Sequence, residues 1–418
     1  MKSVLLVLLW LSSLLFATES SLEACVEGES ISKIEFFGLH KTKKKTVYRS
    51  LLHRIGDSFL SQNWYLEKES LESLDLFAEV NLRCKKDSLG LVLEYKFREL
   101  FSILPFPAGK KTDQDGLMLG LALAHLNLWG ENIRAELQYR TSIQPFFRSN
   151  EYAFYWTQMW FLNKAMDLDL EFLRTDSYDN LRGFQEDSYL FDSKIQWNFA
   201  RPYAFLYGLS SRYYFDFGEI SSLSFGFKRD TRIPKVYTKN GFYQEMLYSY
   251  HFKLLDSKPM YHEYVLDIRY YQTISNLTGV FSTLWRIRTG DIPFYDRFYH
   301  GGANSFRGWN PDSLHYGEQE SLSNIEARYT IRDRKASSIK SFTYFYGLEW
   351  VLGVDISVLW DSSPNWTHYH SAYYTGLHII IPALERLRLE IGFSPDSKEP
   401  KLFIGFFEKS VSQRWRSR

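Results

Sequence analysis

From about residue 101 to residue 408, apolar and polar residues alternate with a period of two. Asp167, Asp169 and Glu171 fall on one face of a strand, while Leu168, Leu170 and Phe172 fall on the other. Tyr264–Tyr270 and Leu387–Phe393 repeat the pattern. In a soluble sandwich both signs of charge would face water and the apolar faces would meet. In a membrane barrel the charges face the lumen and the leucines and aromatics face lipid, and that arrangement is expected here. About sixteen such segments can be counted, centred near residues 103, 121, 135, 156, 170, 193, 208, 225, 247, 266, 284, 326, 355, 376, 390 and 404. The fold class is therefore mainly β, a transmembrane antiparallel β-barrel over residues 101–408. An even strand count keeps both barrel ends in the periplasm and puts the 293–318 segment between strands eleven and twelve, outside.

Residues 30–98 follow another pattern. Ile31–Phe37 alternates as a short strand and stops at Gly38. Val47, Leu51, Leu52 and Ile55 recur at helical spacing, closed by Gly56 and Asp57. A second helix is expected from Leu60 to Leu74, with Trp64, Leu66, Leu71 and Leu74 as its apolar stripe. Phe77–Cys84 and Leu89–Phe97 alternate again around the hairpin signal Lys85–Ser88. The order β-α-α-β-β describes a small α+β domain. Its basic run Lys41, Lys43, Lys44 and Lys45 is either a solvated helix start or a contact for anionic head groups or substrate.

Ahead of both, Lys2 precedes an apolar run from Val4 to Phe16 and small or polar residues from Ala17 to Ser21. That is the pattern of a signal peptide ending near residue 24, without a tidy cleavage site. Leu22-Glu-Ala-Cys25 is a poor lipobox because Glu23 interrupts it. No later run approaches the roughly 18 apolar residues of a spanning helix. The negative mean hydropathy, −0.31, does not oppose a barrel, because alternating faces average out. Aromatics make up 18% of the chain, with 29 tyrosines, which is high for a soluble protein. A net charge of +1 argues against nucleic acid as a partner. Only Cys25 and Cys84 are present, and both a disulfide and two separate thiols remain open. The ten histidines are scattered, and neither metal spacing, a nucleophile elbow nor a phosphate loop occurs. Neither an enzyme nor a cofactor is expected.

One stretch departs from every period. Between Pro293 and Pro311 a loop carries Phe298, Tyr299, Phe306 and Trp309 around a single motif cation, Arg307. So many aromatics suit a loop folded back into the barrel better than one lying on its surface. Gly301-Gly302-Ala-Asn-Ser-Phe306-Arg307-Gly308-Trp309 resembles the GG-x-x-x-[VF]-RG-[FYW] signature of the BamA/TamA-like outer-membrane assembly and secretion barrels. Asn127-Leu-Trp-Gly130 is similar to that family's N-L-x-G turn, and Asp230-Thr-Arg232 followed by Asn240-Gly241 to its D-T-R…G turn. The β-α-α-β-β segment resembles a single POTRA domain, where family members often carry several. The resemblance implies a sixth extracellular loop folded inward, its arginine meeting carboxylates of the barrel wall. Strand thirteen, Leu352–Asp361, resembles the strand carrying that partner. Asp355 is the first choice and Glu326 the second, with Arg328 pointing inward beside it.

The closing strands look weak. Phe101–Pro107 contains Pro105 and Pro107, which lack ladder donors, and Lys401–Phe407 contains Gly405. Either the seam can open toward lipid, as the resemblance also implies, or the prolines lie at the strand's extracellular end. Phe407 is followed by a basic tail, residues 409–418, rather than ending the chain. The function implied is insertion or translocation of polypeptides at the bacterial outer membrane by a monomeric barrel. Extended substrates would meet the POTRA edge strand by strand addition. The alternatives are a passive channel or a structural surface antigen.

Overall fold

The computed structural model describes residues 25–405 except Ser73, Lys398 and the segments 113–115, 144–148, 180–182, 233–237, 255–257, 302–305, 309–315, 340–341, 362–368 and 381–386. The expected signal peptide and the basic tail lie outside the described residues. At the N-terminus β1 (Ile31–Phe37), α1 (Lys44–Tyr48), α2 (Ser61–Glu72), β2 (Phe77–Asp87) and β3 (Gly90–Glu99) form a module with sheet order β1-β3-β2. Its core gathers Ile31, Val47, Leu51, Trp64, Leu71, Phe77, Val80, Leu82, Leu93, Tyr95 and Phe97.

Two expectations for the module need correction. The first helix is only five residues long, and Leu52 and Ile55 are exposed in the turns that follow it. Leu66 is not the buried member of the second stripe, since Trp64, Glu67 and Leu71 are. Glu67 tolerates burial because its carboxylate accepts hydrogen bonds from the backbone N–H of Leu52 (2.5 Å) and His53 (2.6 Å) and from the Tyr95 hydroxyl (2.6 Å). Its other ring partner is His53 Nδ1 at 3.0 Å. Hydropathy counting cannot foresee a core carboxylate whose lone pairs are all taken. Cys25 and Cys84 form a disulfide, with Cα atoms 5.1 Å apart and a sequence separation of 59.

The barrel strands are β4 (Ile103–Thr112), β5 (Gly116–Leu128), β6 (Ile133–Ser142), β7 (Ser149–Gln158), β8 (Met166–Asp179), β9 (Phe184–Ala200), β10 (Tyr203–Tyr214), β11 (Gly218–Asp230), β12 (Gly241–Lys253), β13 (Lys258–Ile274) and β14 (Leu277–Gly290). A long loop holding the short pair β15 (Phe298–Tyr299) and β16 (Tyr316–Gly317) follows. Then come β17 (Gln319–Ile339), β18 (Phe342–Trp360), β19 (Tyr369–Ile380), β20 (Leu387–Phe393) and β21 (Lys401–Gly405). Sixteen of them make one antiparallel sheet running from β21 round to β4, and each centre counted from the sequence falls in its own strand. Alternate residues turn outward, as Leu119, Leu121 and Leu123 do on β5 and Phe172 does on β8. Inward positions hold Glu136, Arg140, Glu151, Glu171, Glu245, Asp267 and Arg269, all buried. Charges buried inside the barrel must be paired, and Arg140–Glu151, Lys194–Glu245 and Arg269–Asp267 are.

The module docks on the barrel end formed by the β5–β6 and β7–β8 turns. Lys43 donates its backbone N–H to Gly130 O (2.9 Å), Thr46 Oγ1 donates to the same oxygen (2.9 Å), and Asn127 Nδ2 donates to Thr42 Oγ1 (2.9 Å). Gly130, at φ 72°, is pressed so close to the Lys41 carbonyl that a side chain there would collide with it. The β17–β18 hairpin reaches the module from the other side. Arg334 on β17 donates to the carbonyls of Glu72 and Phe77, both at 3.2 Å. Its guanidinium lies 3.6 Å over Phe345.

Candidate functional site

The loop between β14 and β17 enters the lumen step by step. Phe294 and Tyr295 pack with Phe184, Tyr214 and Phe217 at the barrel end opposite the module. Asp296 accepts from Tyr261, and Phe298 lies between the guanidinium groups of Arg286 (4.0 Å) and Arg288 (3.9 Å). His300 is 1% exposed and bridges two wall strands. Its Nε2 lies 2.6 Å from Glu320 Oε2 on β17, and its Nδ1 meets Ser357 Oγ on β18.

Arg307 sits deeper, with Phe306 fully buried beside Ala372. Its Nε and Nη2 donate to the two oxygens of Asp355, each at 2.8 Å, a bidentate fork. Its backbone N–H donates to Asp355 Oδ2 at 3.1 Å. Nη1 donates to Glu390 Oε1 at 2.9 Å and stands 3.5 Å from Glu326 Oε2. The guanidinium lies 3.4 Å from the ring centre of Tyr374, whose hydroxyl donates to Glu326 at 2.6 Å. Asn324 Nδ2 donates to Asp355 Oδ1 at 2.8 Å. The backbone also makes room. A Cβ on Gly392 would overlap the Arg307 carbonyl oxygen, and one on Gly353 would overlap the Tyr374 hydroxyl.

Of the residues singled out from sequence, Arg307 and Asp355 thus come together, with Glu326 at longer range. Arg328 pairs with Glu326. Gly301 (φ 143°), Phe306 and Gly308 belong to the same segment. Gly302 and Trp309 lie outside the described residues. Glu390 on β20 was missed and is nearer to Arg307 than Glu326 is. Tyr374, Asn324 and the His300 bridge were missed too. Inward parity marks Glu390, Tyr374 and Asn324 as lumen residues, but only the tilt and stagger of the strands choose among many such residues.

Two other groupings in the lumen invite chemistry. Ser357, His300 and Glu320 have the composition of a hydrolytic triad, yet Ser357 is 1% exposed and lies under the loop. Glu326, His378 and Glu390 lie close enough to share a cation. Their carboxylates already face Arg307 and Arg328, which a metal would have to displace. That donor set fits an ion-pair network better than a metal site.

At the seam, β21 and β4 lie side by side, and no backbone ladder joins them among the described residues. Ser102 O accepts the N–H of Leu126 at 2.7 Å, and Ile103 pairs with His125. In the antiparallel alternation, residues 102, 104 and 106 therefore turn their main-chain groups to β5. Residues 103, 105 and 107 turn theirs to β21. Pro105 and Pro107 remove donors from the seam edge itself, in the half of β4 nearer the module. Gly405 is the last described residue of β21. The two turn motifs have local tasks. Asn127–Gly130 receives the module, and Asp230 holds Arg232 by two bonds of 2.9 and 3.0 Å.

No curated protein matches the chain by sequence. Among solved structures the fold is similar to CdiB from Escherichia coli, with a TM-score of 0.63 at 12% identity, covering 94% of this chain and 78% of that one. CdiB from Acinetobacter baumannii gives 0.54 at 15% identity, covering 90% and 72%. BamA from Haemophilus ducreyi lacking POTRA domains 1–3 gives 0.53 at 13% identity, covering 90% and 83%. A family model, the Omp85 superfamily domain, matches residues 127–406, about two thirds of the chain. With a sixteen-stranded outer-membrane barrel, an arginine-anchored inner loop and that match, the chain belongs to the Omp85 superfamily.

Proposed function

We propose that this barrel inserts polypeptides into the bacterial outer membrane, or passes them across it, by opening between β4 and β21. The observation that carries the proposal is the seam. Among the described residues the two edges touch without a ladder, and prolines occupy alternate edge positions facing the gap. A sealed pore has no use for such an edge. The N-terminal module acts as a single POTRA-like domain in the periplasm, and its free sheet edges, β1 and β2, accept extended substrate by strand addition. Membership of the superfamily and the likeness to BamA and CdiB folds support this activity. The loop anchored at Arg307 stabilises the lumen while the seam moves. No catalytic group and no cofactor takes part.

The test is a disulfide between cysteines scanned along Ile103–Pro107 and Leu402–Ile404. The native disulfide leaves no free thiol to compete. Locked protein, confirmed as cross-linked, should lose function and regain it with reductant at a dose that leaves wild-type function and the native Cys25–Cys84 disulfide intact. Full function in the locked state rules lateral opening out.

A further inference from the structure

The module end of the barrel carries a belt of exposed aromatics. Trp129, Trp197, Phe199 and Tyr203 face outward there, and Trp129 packs 6.2 Å from Trp156. Rings of this kind collect at the head-group level of a bilayer. Phe101, 42% exposed, belongs to this belt, because it shares the outward parity of Ile103, Pro105 and Pro107 and leads into the seam strand. Two cations from the module stand over aromatics at this level. Lys41 Nζ lies 5.1 Å from the ring centre of Phe101, and the Arg49 guanidinium lies 5.1 Å from that of Trp160. The chain from Lys41 to Arg49 therefore runs along the plane where head groups sit.

Charge in this segment is balanced only in part by the protein. Lys43 and Lys45 are used by Glu131, at 2.6 and 2.9 Å. Two other carboxylates stand nearby: Glu35, which pairs with Lys33 and also feels the charge of Lys44, and Glu99, held by the backbone N–H groups of His40, Lys41 and Thr42. Arg49 donates to Asn163 Oδ1 at 3.0 Å. Lys41 and Lys44 are exposed and form no ion pair among the described residues. A lysine over an interfacial ring, with its ammonium free, presents its charge to whatever anion lies in that plane.

We propose that Lys41 and Lys44 bind the phosphates of anionic phospholipid head groups in the leaflet that meets the module, directly beneath the seam strand. Phe101 and Trp160 fix the depth of the segment. The contact would hold the module to the membrane where β4 and β21 part. It rests on the module lying against one membrane face, and it does not require polypeptide transport.

The test uses the full-length barrel in nanodiscs of equal phosphatidylglycerol and phosphatidylcholine, with retained lipids counted by native mass spectrometry after extraction. The wild type should retain phosphatidylglycerol in preference to phosphatidylcholine. Lys41→Gln with Lys44→Gln should cut that ratio about thirtyfold, since each lysine near an anionic surface contributes about 1 kcal/mol and two are removed. Lys41→Arg with Lys44→Arg should keep it. Lys86→Gln, on the β2–β3 hairpin, should leave it unchanged. If the glutamine variant does not reach a heat-modifiable fold, wild type at about 1 M salt serves instead, where screening falls to about 3 Å and the preference should vanish. The proposal is overturned by a wild type without preference, by an unchanged ratio in the glutamine variant, or by an equal loss in the hairpin control. Seam locking leaves this readout untouched, so the two proposals can fail separately.

Discussion

Replacing Arg307 by alanine should release the inner loop while leaving the barrel standing. The loss can be worked out carboxylate by carboxylate. Without the guanidinium, Glu326 keeps Arg328 and the Tyr374 hydroxyl, and Glu390 keeps His378 at 2.9 Å. Among the described residues, Asp355 keeps only the Asn324 amide and the backbone N–H of residue 307. It is fully buried, so its charge is left without a cation, at a cost of about 3–5 kcal/mol. Asp355→Ala removes the stranded charge, and the double variant should cost less than the sum by about 0.5–3 kcal/mol. Glu390→Gln should couple to Arg307 more weakly, because it meets one nitrogen rather than a fork. Arg307→Lys keeps the charge and loses the fork, so it should resemble alanine more than wild type. The assay is maleimide labelling of a cysteine at Phe306, which is fully buried, alongside the temperature at which the folded band is lost on detergent gels. Labelling should rise in Arg307→Ala with the folded band retained. Strict additivity with both Asp355 and Glu390, or unchanged labelling, would refute the anchor.

Gly392→Ala should undock the same loop without touching Arg307, because its Cβ would overlap the Arg307 carbonyl, and Phe306 labelling reads this directly. Replacing Cys25 and Cys84 by serine frees a 59-residue separation, which by loop-closure entropy costs the module about 4 kcal/mol, measurable as a lower denaturant midpoint of its tryptophan signal. The hydrogen bonds and charges of Lys43 and Lys45 hold the Glu131 carboxyl down at about 2, below its ordinary 4.5. Since the docked form has the depressed value, its contribution to docking is complete above about 4.5 and is lost as pH falls through about 2. Hydrogen-exchange protection of the Lys43 amide, bonded to Gly130, should fall across that window and lose its pH dependence in Glu131→Gln.

The sequence by itself determined the strand count, the inward and outward faces and the place of the anchored loop. Each follows from a period of two, which is local, and from parity, which is only counting. Arg307 and Asp355 were legible for the same reason, together with a motif dense enough to stand out. What the tertiary structure decided is which of many inward carboxylates share one arginine. Glu390 looks no different along the chain from Glu349 or Glu320, and only the tilt of β20 past β18 brings it within 2.9 Å. Glu67 shows the converse, a carboxylate drawn into the module core because α2, the turn after α1 and β3 converge on it with donors. The prolines of β4 were visible as weak points. Their significance depended on which side of the strand they face, and hydrogen-bond phase between two strands is set only when those strands pair.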